Sequence, residues 1–437
     1  KGDRDNIGSL VCYGGIADEQ TRDVKAHGAL AGKKIKSPKV FLGFFEDWCD
    51  GLEAYAKANA VIAPPKAWEK AVPFGWNSWG ALQFNLTYEK AMEVSDYFKE
   101  NLQNNHFVNP DQTVYIGLDS GWDCMNEEQL KSFIEKCKSN GQIGGIYWTP
   151  FTDWARDPER TVDAAPEYKY KDIYLYANGK PQELDGAYAV DPTHPAVEAM
   201  MKKTSGLFHR AGFEYVKLDF MTHGAMEADK WYNPEITTGI QGYNYGMKLL
   251  NQYFGDMYIN LSISPVFPAQ YAQSRRIACD AWNQIKDTEY TLNALSYGWW
   301  QKYIYQYNDA DHIVLRDAKP CPYYFGCHYG YLHYRRRFQC GRRKRRQREI
   351  TEISDQCGSE CSSDRRSVPS RGRKRREVGT YLCKEDTRWS FPLCGIQLLG
   401  PGTDNCAFVG KNRIGQGTQL SGEGVVERQR DFCHRTA

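Results

Sequence analysis

The sequence predicts an α/β protein: a (β/α)8 TIM-type barrel that lacks its eighth strand, preceded by a remnant of a β-sandwich domain. Three observations carry this prediction. From about Val72 to Leu315, segments of strand and helix character alternate, the order expected of a parallel sheet covered by helices. The apolar run Tyr215-Val216 leads into an ionisable pair, Lys217-Leu218-Asp219. A carboxylate and an ammonium are costly at the end of a buried strand unless they serve something. A second acidic segment, Arg275-Arg276-Ile277-Ala278-Cys279-Asp280-Ala281-Trp282, brings a carboxyl 61 residues after Asp219. Side chains at the carboxyl ends of barrel strands face the active site. An isolated Lys–Asp pair reads more simply as a structural ion pair. Two carboxyls, each with a cationic companion, are what glycoside hydrolysis requires.

Taken in order, Ser9–Tyr13 and Lys39–Phe45 read as strands, and Trp48–Ala60 reads as a helix leading into a Pro64-Pro65 linker. The first barrel strand ends at Phe74-Gly75-Trp76-Asn77-Ser78-Trp79, followed by a helix over Tyr88–Leu102. Val114–Asp119 is the second strand. Asn126 caps the next helix, whose Leu130, Phe133, Ile134 and Cys137 share one face, with Gly141 past its end. Gly145–Trp148 is the third strand. Lys169–Tyr176 with Asn178-Gly179 reads as an inserted hairpin. A helix over Pro195–His209 leads to the fourth strand, ending at Asp219. Met257–Ser264 is the fifth strand, Arg276–Trp282 the sixth, and a segment from Tyr307 the seventh.

The chain of 437 residues carries 29 Tyr and 12 Trp, which suit a large core and the stacking of flat rings on sugar faces. A net charge of +2 gives no global pointer to nucleic acid. No apolar stretch is long enough to span a membrane. The chain opens on Lys1 without a charged-then-apolar leader, so we expect the natural N-terminus to be missing and the compartment to be unreadable. Asn85 and Asn260 lie in glycosylation sequons, a pattern common by chance. The nine His show no metal-ligand spacing, no phosphate-cradling loop is evident, and no cofactor is expected.

The motifs Phe-Gly-Trp-Asn-Ser-Trp-Gly, Leu118-Asp119-Ser-Gly-Trp122, Lys217-Leu-Asp219, Arg276-x-x-x-Asp280 and Asn308-Asp-Ala-Asp-His resemble, in order, those of the α-galactosidases of glycoside hydrolase families 27 and 36. The resemblance covers roughly residues 40–316. It implies a retaining (β/α)8 enzyme, with Asp219 as nucleophile and Asp280 as acid/base. Lys217, two residues from Asp219 on one strand, is expected on the same face and expected to hold Asp219 ionised. Arg276 is expected to anchor a sugar hydroxyl, and Asp280 to need a drier or more anionic setting that keeps it protonated.

By the same resemblance Asp119 holds galactose hydroxyls, although the second acid common there is Ser120 in this chain. Trp76 either stacks on the sugar or belongs to the core. Trp148 and Asp153 are expected to line the pocket, while Asp309 and Asp311 are expected to hydrogen-bond within the barrel mouth. Ser262 and Ser264 fall where a 2-hydroxyl is distinguished from a 2-acetamido group. The expected partner is an α-linked galactosyl oligosaccharide. An α-N-acetylgalactosaminidase or other α-glycosidase, and a non-catalytic or inactive truncated product that only binds sugar, remain alternatives; with its barrel incomplete, the chain as it stands is expected to be poorly folded, aggregation-prone or inactive.

The periodic apolar pattern stops near residue 316. Nine of the 14 Cys follow Pro320, with Arg335-Arg336-Arg337, Arg342–Arg346 and Arg373–Arg376. A basic nucleic-acid-binding or zinc-binding tail, using Cys357 and Cys361, is one reading. A shifted reading frame is the preferred one. Joining bases two and three of each codon to base one of the next permits Cys321–Gln339 to decode as an apolar β-type run ending in Gly-Asp-Asp, a credible eighth strand. We therefore expect residues 1–63 to be the sandwich remnant and linker, 64–316 the catalytic barrel, and 317–437 a non-native, disordered tail that leaves an open edge between strands seven and one.

Overall fold

The computed structural model describes residues 39–282 and 285–315, together with short strands at 325–328, 335–336, 350–351, 388–390 and 397–399. The expected strand at Ser9–Tyr13, Cys357 and Cys361 and most of the 317–437 tail lie outside the described residues.

Seven parallel strands form the sheet: β1 (Gly75–Asn77), β2 (Val114–Leu118), β3 (Gln142–Trp148), β4 (Tyr215–Leu218), β5 (Tyr258–Leu261), β6 (Ser274–Arg276) and β7 (Tyr307–Asp309). Each pairs with its chain-order neighbour, in registers such as Trp76↔Ile116, Tyr147↔Lys217, Asn260↔Lys217 and Arg275↔Asn308. This is the partial (β/α)8 barrel expected. The sixth strand ends at Arg276, so Asp280 stands on the loop beyond it rather than on the strand.

No parallel eighth strand is found among the described residues, yet the edge is not bare. β8 (His312–Leu315) continues two residues past β7, and β9 (Phe325–His328) runs antiparallel between β8 and β1, with registers His312↔His328 and Gly75↔His328. The sheet's two ends are therefore joined through one short stretch of chain.

Side-chain alternation divides the strands into two faces. Ile116, Leu118, Ile146, Val216, Leu218, Ile259 and Leu261 point outward into the main apolar cluster. That cluster includes helices α3 (Glu127–Ser139), α4 (Pro195–Ala211) and α5 (Gly239–Phe254) through residues such as Phe133, Phe208 and Phe254. Inward, one turn of pleat below the site, Tyr115, Tyr215, Tyr258 and Tyr307 join Val72 in a separate cluster. Tyr215 and Tyr258 stack at 5.5 Å, and Tyr258 and Tyr307 at 6.5 Å. This aromatic layer floors the barrel and dries the polar layer above it.

Local signals set the helix ends. Asn126 and Gln129 form a capping box at α3, Gly141 (φ 71°) follows it, and Gly212 (φ 93°) ends α4. The Asn178-Gly179 turn has positive φ at both residues and joins Tyr176–Ala177 to Lys180–Pro181, as its composition demands. Lys39–Phe45 is not a strand: it pairs with nothing among the described residues, and Phe44 is 93% exposed. α1 (Trp48–Ile62) packs on the barrel instead, where its buried Glu53 accepts from Trp299 Nε1 at 3.2 Å and Tyr303 Oη at 3.0 Å. Asn260, in the second sequon, is wholly buried on β5 and bonded to Asp309, so it is not a glycan acceptor in the folded chain.

Candidate active site

β4 presents Tyr215, Lys217 and, one residue beyond its end, Asp219 on the inner face. Lys217 Nζ lies 2.8 Å from Asp119 Oδ2 and 3.6 Å from Asp219 Oδ2, with all three side chains almost completely buried. Asn77, at the end of β1, performs two tasks. Its Oδ1 accepts from Trp79 N at 2.8 Å and starts a short helical turn, while its Nδ2 donates to Asp119 Oδ2 at 2.8 Å. Ser120 N donates to Asp119 Oδ1 at 2.8 Å. Burial penalises the Asp119 carboxylate, but Lys217, Asn77 and Ser120 together hold it below the usual carboxylate range. Burial likewise opposes the charge on Lys217, and Asp119 and Asp219 more than restore it, so the ammonium is retained.

Asp219 behaves differently. Phe220 N donates to its Oδ1 at 2.7 Å, yet burial, the largest influence, raises the carboxyl above its usual range. Lys217 works against that rise; the charges of Asp119 and Asp280 add to it. Lys217 thus favours the charged form of Asp219 without outweighing burial, and its ammonium stands closer to Asp119. The rise also fixes a sign for stability. A carboxyl whose folded-state pKa is raised favours folding while protonated, and that contribution is lost as pH rises through the folded value. Above that value the fold holds Asp219 ionised only at a cost. Asp219→Asn, which keeps an acceptor for Phe220 N, is expected to melt at or above the parent temperature at pH 7. The advantage should shrink towards pH ~4, near the ordinary carboxyl value. A variant melting clearly below the parent at pH 7 would contradict this.

On the opposite wall, Arg276 is shared by two carboxylates. Its Nη2 is 3.0 Å from Asp280 Oδ1 and its Nη1 3.1 Å from Asp311 Oδ1. Asp311 Oδ1 also lies 3.0 Å from His312 Nδ1, and Asp311 Oδ2 accepts from Ala281 N at 2.8 Å, pinning the loop that carries Asp280. Burial disfavours charge on Asp311, but Arg276 and His312 hold its carboxyl well below the usual range. Asp280 Oδ2 accepts from Trp79 Nε1 at 3.2 Å. Its side chain is 38% exposed. It is therefore less dry than its neighbours, because the loop after β6 lifts it towards solvent. Asp309 bonds Asn260 Nδ2 at 2.6 Å, so Asp309 and Asp311 do form internal contacts at the barrel mouth.

The structure thus brings Asp119, Lys217, Asp219, Arg276 and Asp280 together. Ser262 and Ser264 sit at and past the end of β5, both buried, and Ser264 O accepts from Arg275 Nη2 at 2.6 Å. Three candidates lie elsewhere. Trp76 alternates with inward-facing Asn77, so its ring is buried in the outer core at 1% exposure. Trp148 pairs with outward-facing Leu218 and packs towards Phe254 of α5, ring centroids 6.3 Å apart. Asp153 is consumed by the hydroxyl of Tyr174 at 2.5 Å and by the Arg160 guanidinium.

Sequence reasoning missed three residues. Tyr147 faces inward opposite Lys217, whose Nζ is 5.2 Å from its ring centroid. Burial, then Asp219, Asp119 and Asp280, raise its hydroxyl well above the usual range, which places it among the three carboxylates. Alternation from Lys217 across the β3–β4 register would have found it. Asn77 and Trp79 lie within a motif already noted, but their contacts cross 42 and 201 residues of chain. Among the described residues, no group of three or more His, Cys, Asp or Glu is arranged to hold a metal ion, and no helix is long and apolar enough to cross a membrane.

No protein-family model matches the chain. Among solved structures it is similar to an α-galactosidase from Thermus thermophilus in complex with p-nitrophenyl α-D-galactopyranoside, at 19% identity over 60% of this chain and 55% of that one, with a TM-score of 0.47. It is also similar to a GH27 β-L-arabinopyranosidase from Geobacillus stearothermophilus (16% identity, 58% of this chain, 64% of that one, TM-score 0.42). A third is a GH36 α-galactosidase from Geobacillus stearothermophilus (15% identity, 58% of this chain, 37% of that one, TM-score 0.42). The chain spans less than two thirds of each of these proteins.

Proposed function

We propose that the protein is a retaining, exo-acting α-galactosidase that removes terminal α-linked galactose from oligosaccharides by double displacement. Asp219 attacks the anomeric carbon as the glycosidic C–O bond breaks, and Asp280 gives its proton to the leaving oxygen. Water then adds to the galactosyl ester, returning its proton to Asp280 and freeing Asp219, so the released sugar keeps the α configuration. Asp119, oriented by Lys217 and Asn77, offers acceptor lone pairs to sugar hydroxyls, and Arg276 holds Asp280 in place.

One observation supports the reading above all: two separate carboxylates, Asp219 and Asp280, stand at the carboxyl end of one parallel sheet, each beside a buried cation that it shares with a further carboxylate, close enough for Asp280 to bear on the charge of Asp219. Binding alone would not call for both. The test is a panel of p-nitrophenyl glycosides with the full-length chain. The α-galactoside is expected to be hydrolysed and the β-galactoside spared. Faster hydrolysis of the α-N-acetylgalactosaminide would move the substrate to that sugar, since Ser262 and Ser264 are small enough to leave room for an acetamido group. No hydrolysis of any α-glycoside by correctly folded protein would overturn the proposal.

A further inference from the structure

The turn that follows Asp219 contains a histidine that the reaction above does not use. His223, in the 3-10 turn Met221–Ala225, is wholly buried. Its Nδ1 lies 2.9 Å from the carbonyl oxygen of Phe220, and its Nε2 lies 2.7 Å from the carbonyl oxygen of Leu184. A carbonyl oxygen can only accept. A neutral imidazole has one N–H and one lone pair, so either tautomer satisfies one contact and sets a lone pair against the other; an imidazolium donates at both nitrogens. Turning the ring over presents C–H groups to both carbonyls and improves neither.

We propose that His223 is held as an imidazolium and is a positioning residue for Asp219, tying the strand Glu183–Leu184 of the inserted segment to the turn that carries the nucleophile. The link to Asp219 is short. Phe220, whose carbonyl the ring holds, has φ 53°, a left-handed conformation that a bulky residue keeps only when its surroundings impose it. In that conformation its N–H donates to Asp219 Oδ1 at 2.7 Å. Thr222 secures the other flank, with its N and Oγ1 donating to Ile263 O at 2.8 and 2.7 Å. The acidic groups nearest the ring along the chain segments it joins are Glu183 and Asp185 on either side of Leu184, Asp219 beside Phe220, and Glu227. The consequence for catalysis rests on the proposed role of Asp219; the charge of the ring does not.

Ring-15N-histidine labelling of the full chain tests the charge, with the His223 signals identified by their loss in His223→Asn. At pH ~7.5, about one unit above the ordinary histidine value, both ring nitrogens are expected to carry protons. A single protonated nitrogen would overturn the proposal. His223→Asn keeps an N–H donor towards Phe220 O and loses the Leu184 contact, while His223→Leu loses both. On p-nitrophenyl α-galactoside, kcat is expected to fall from parent to Asn to Leu, by about tenfold or more for Leu, with the Kd for galactose changed less than about twofold. Equal kcat in His223→Leu and parent would remove the positioning role. Should the parent protein hydrolyse no α-glycoside, the catalytic proposal fails while the nitrogen spectrum still decides the state of the ring.

Discussion

Asp219→Ala is expected to lower kcat by about 10³-fold or more while leaving galactose binding measurable. No neighbouring carboxylate stands ready to replace it. Asp119 is engaged by Lys217, Asn77 and Ser120, and Asp280 by Arg276 and Trp79. The fold should survive, because Lys217 keeps Asp119 at 2.8 Å and no cation is left unpaired. A small anion such as azide, able to enter the space left by the carboxylate, is expected to restore turnover of p-nitrophenyl α-galactoside and to give a product of opposite anomeric configuration. Undiminished turnover without added anion would remove Asp219 from the reaction.

The second large effect depends on the leaving group. In Asp280→Ala, natural oligosaccharides are expected to lose about 10²- to 10⁴-fold in kcat/KM, the range of a missing general acid. The p-nitrophenyl substrate, whose phenolate leaves without help, should lose far less in its bond-breaking step. Arg276 would still hold Asp311 at 3.1 Å, so the variant should remain folded and the comparison should report chemistry rather than collapse. Equal losses on both substrate types would argue that Asp280 only shapes the pocket.

Much of the architecture could be read along the chain because it is written in local periodicity. Tyr215, Lys217 and Asp219 lie two apart, so a strand puts them on one face, and that face proves to be the interior. The helix starts at Asn126 and Pro195 carry their own caps. The same period, applied consistently, would have placed Trp76 and Trp148 outside, since each neighbours an inward residue, Asn77 and Tyr147. Large aromatic rings drew attention by their chemistry when the pleat had already assigned them to the core. Asp153 could not be judged locally, because what occupies it is Tyr174, 21 residues away, and the guanidinium of Arg160.

Electrostatic balance was harder still to read. The order Lys217-Leu-Asp219 suggests a pair, but the three-dimensional contact favours Asp119, 98 residues earlier, over Asp219. Burial then decides the direction for Asp219, and burial depends on the tyrosine floor and the surrounding loops rather than on any short motif. Likewise Arg276-x-x-x-Asp280 reads as a private pair, whereas Arg276 is divided between Asp280 and Asp311. The antiparallel strand beside β1 comes from a segment whose composition gave no sign of belonging to the sheet.

The proposed reaction passes through a covalent bond between galactose and the Asp219 carboxylate. Incubating the full-length protein with a 2-fluoro-α-galactosyl inactivator, digesting it and weighing the peptides would reveal that bond directly. We expect the mass of the fluorinated galactosyl group on the peptide containing Asp219 and on no other. Labelling of a different carboxylate, or a hydrolysis that yields the β anomer with no trapped adduct, would contradict it.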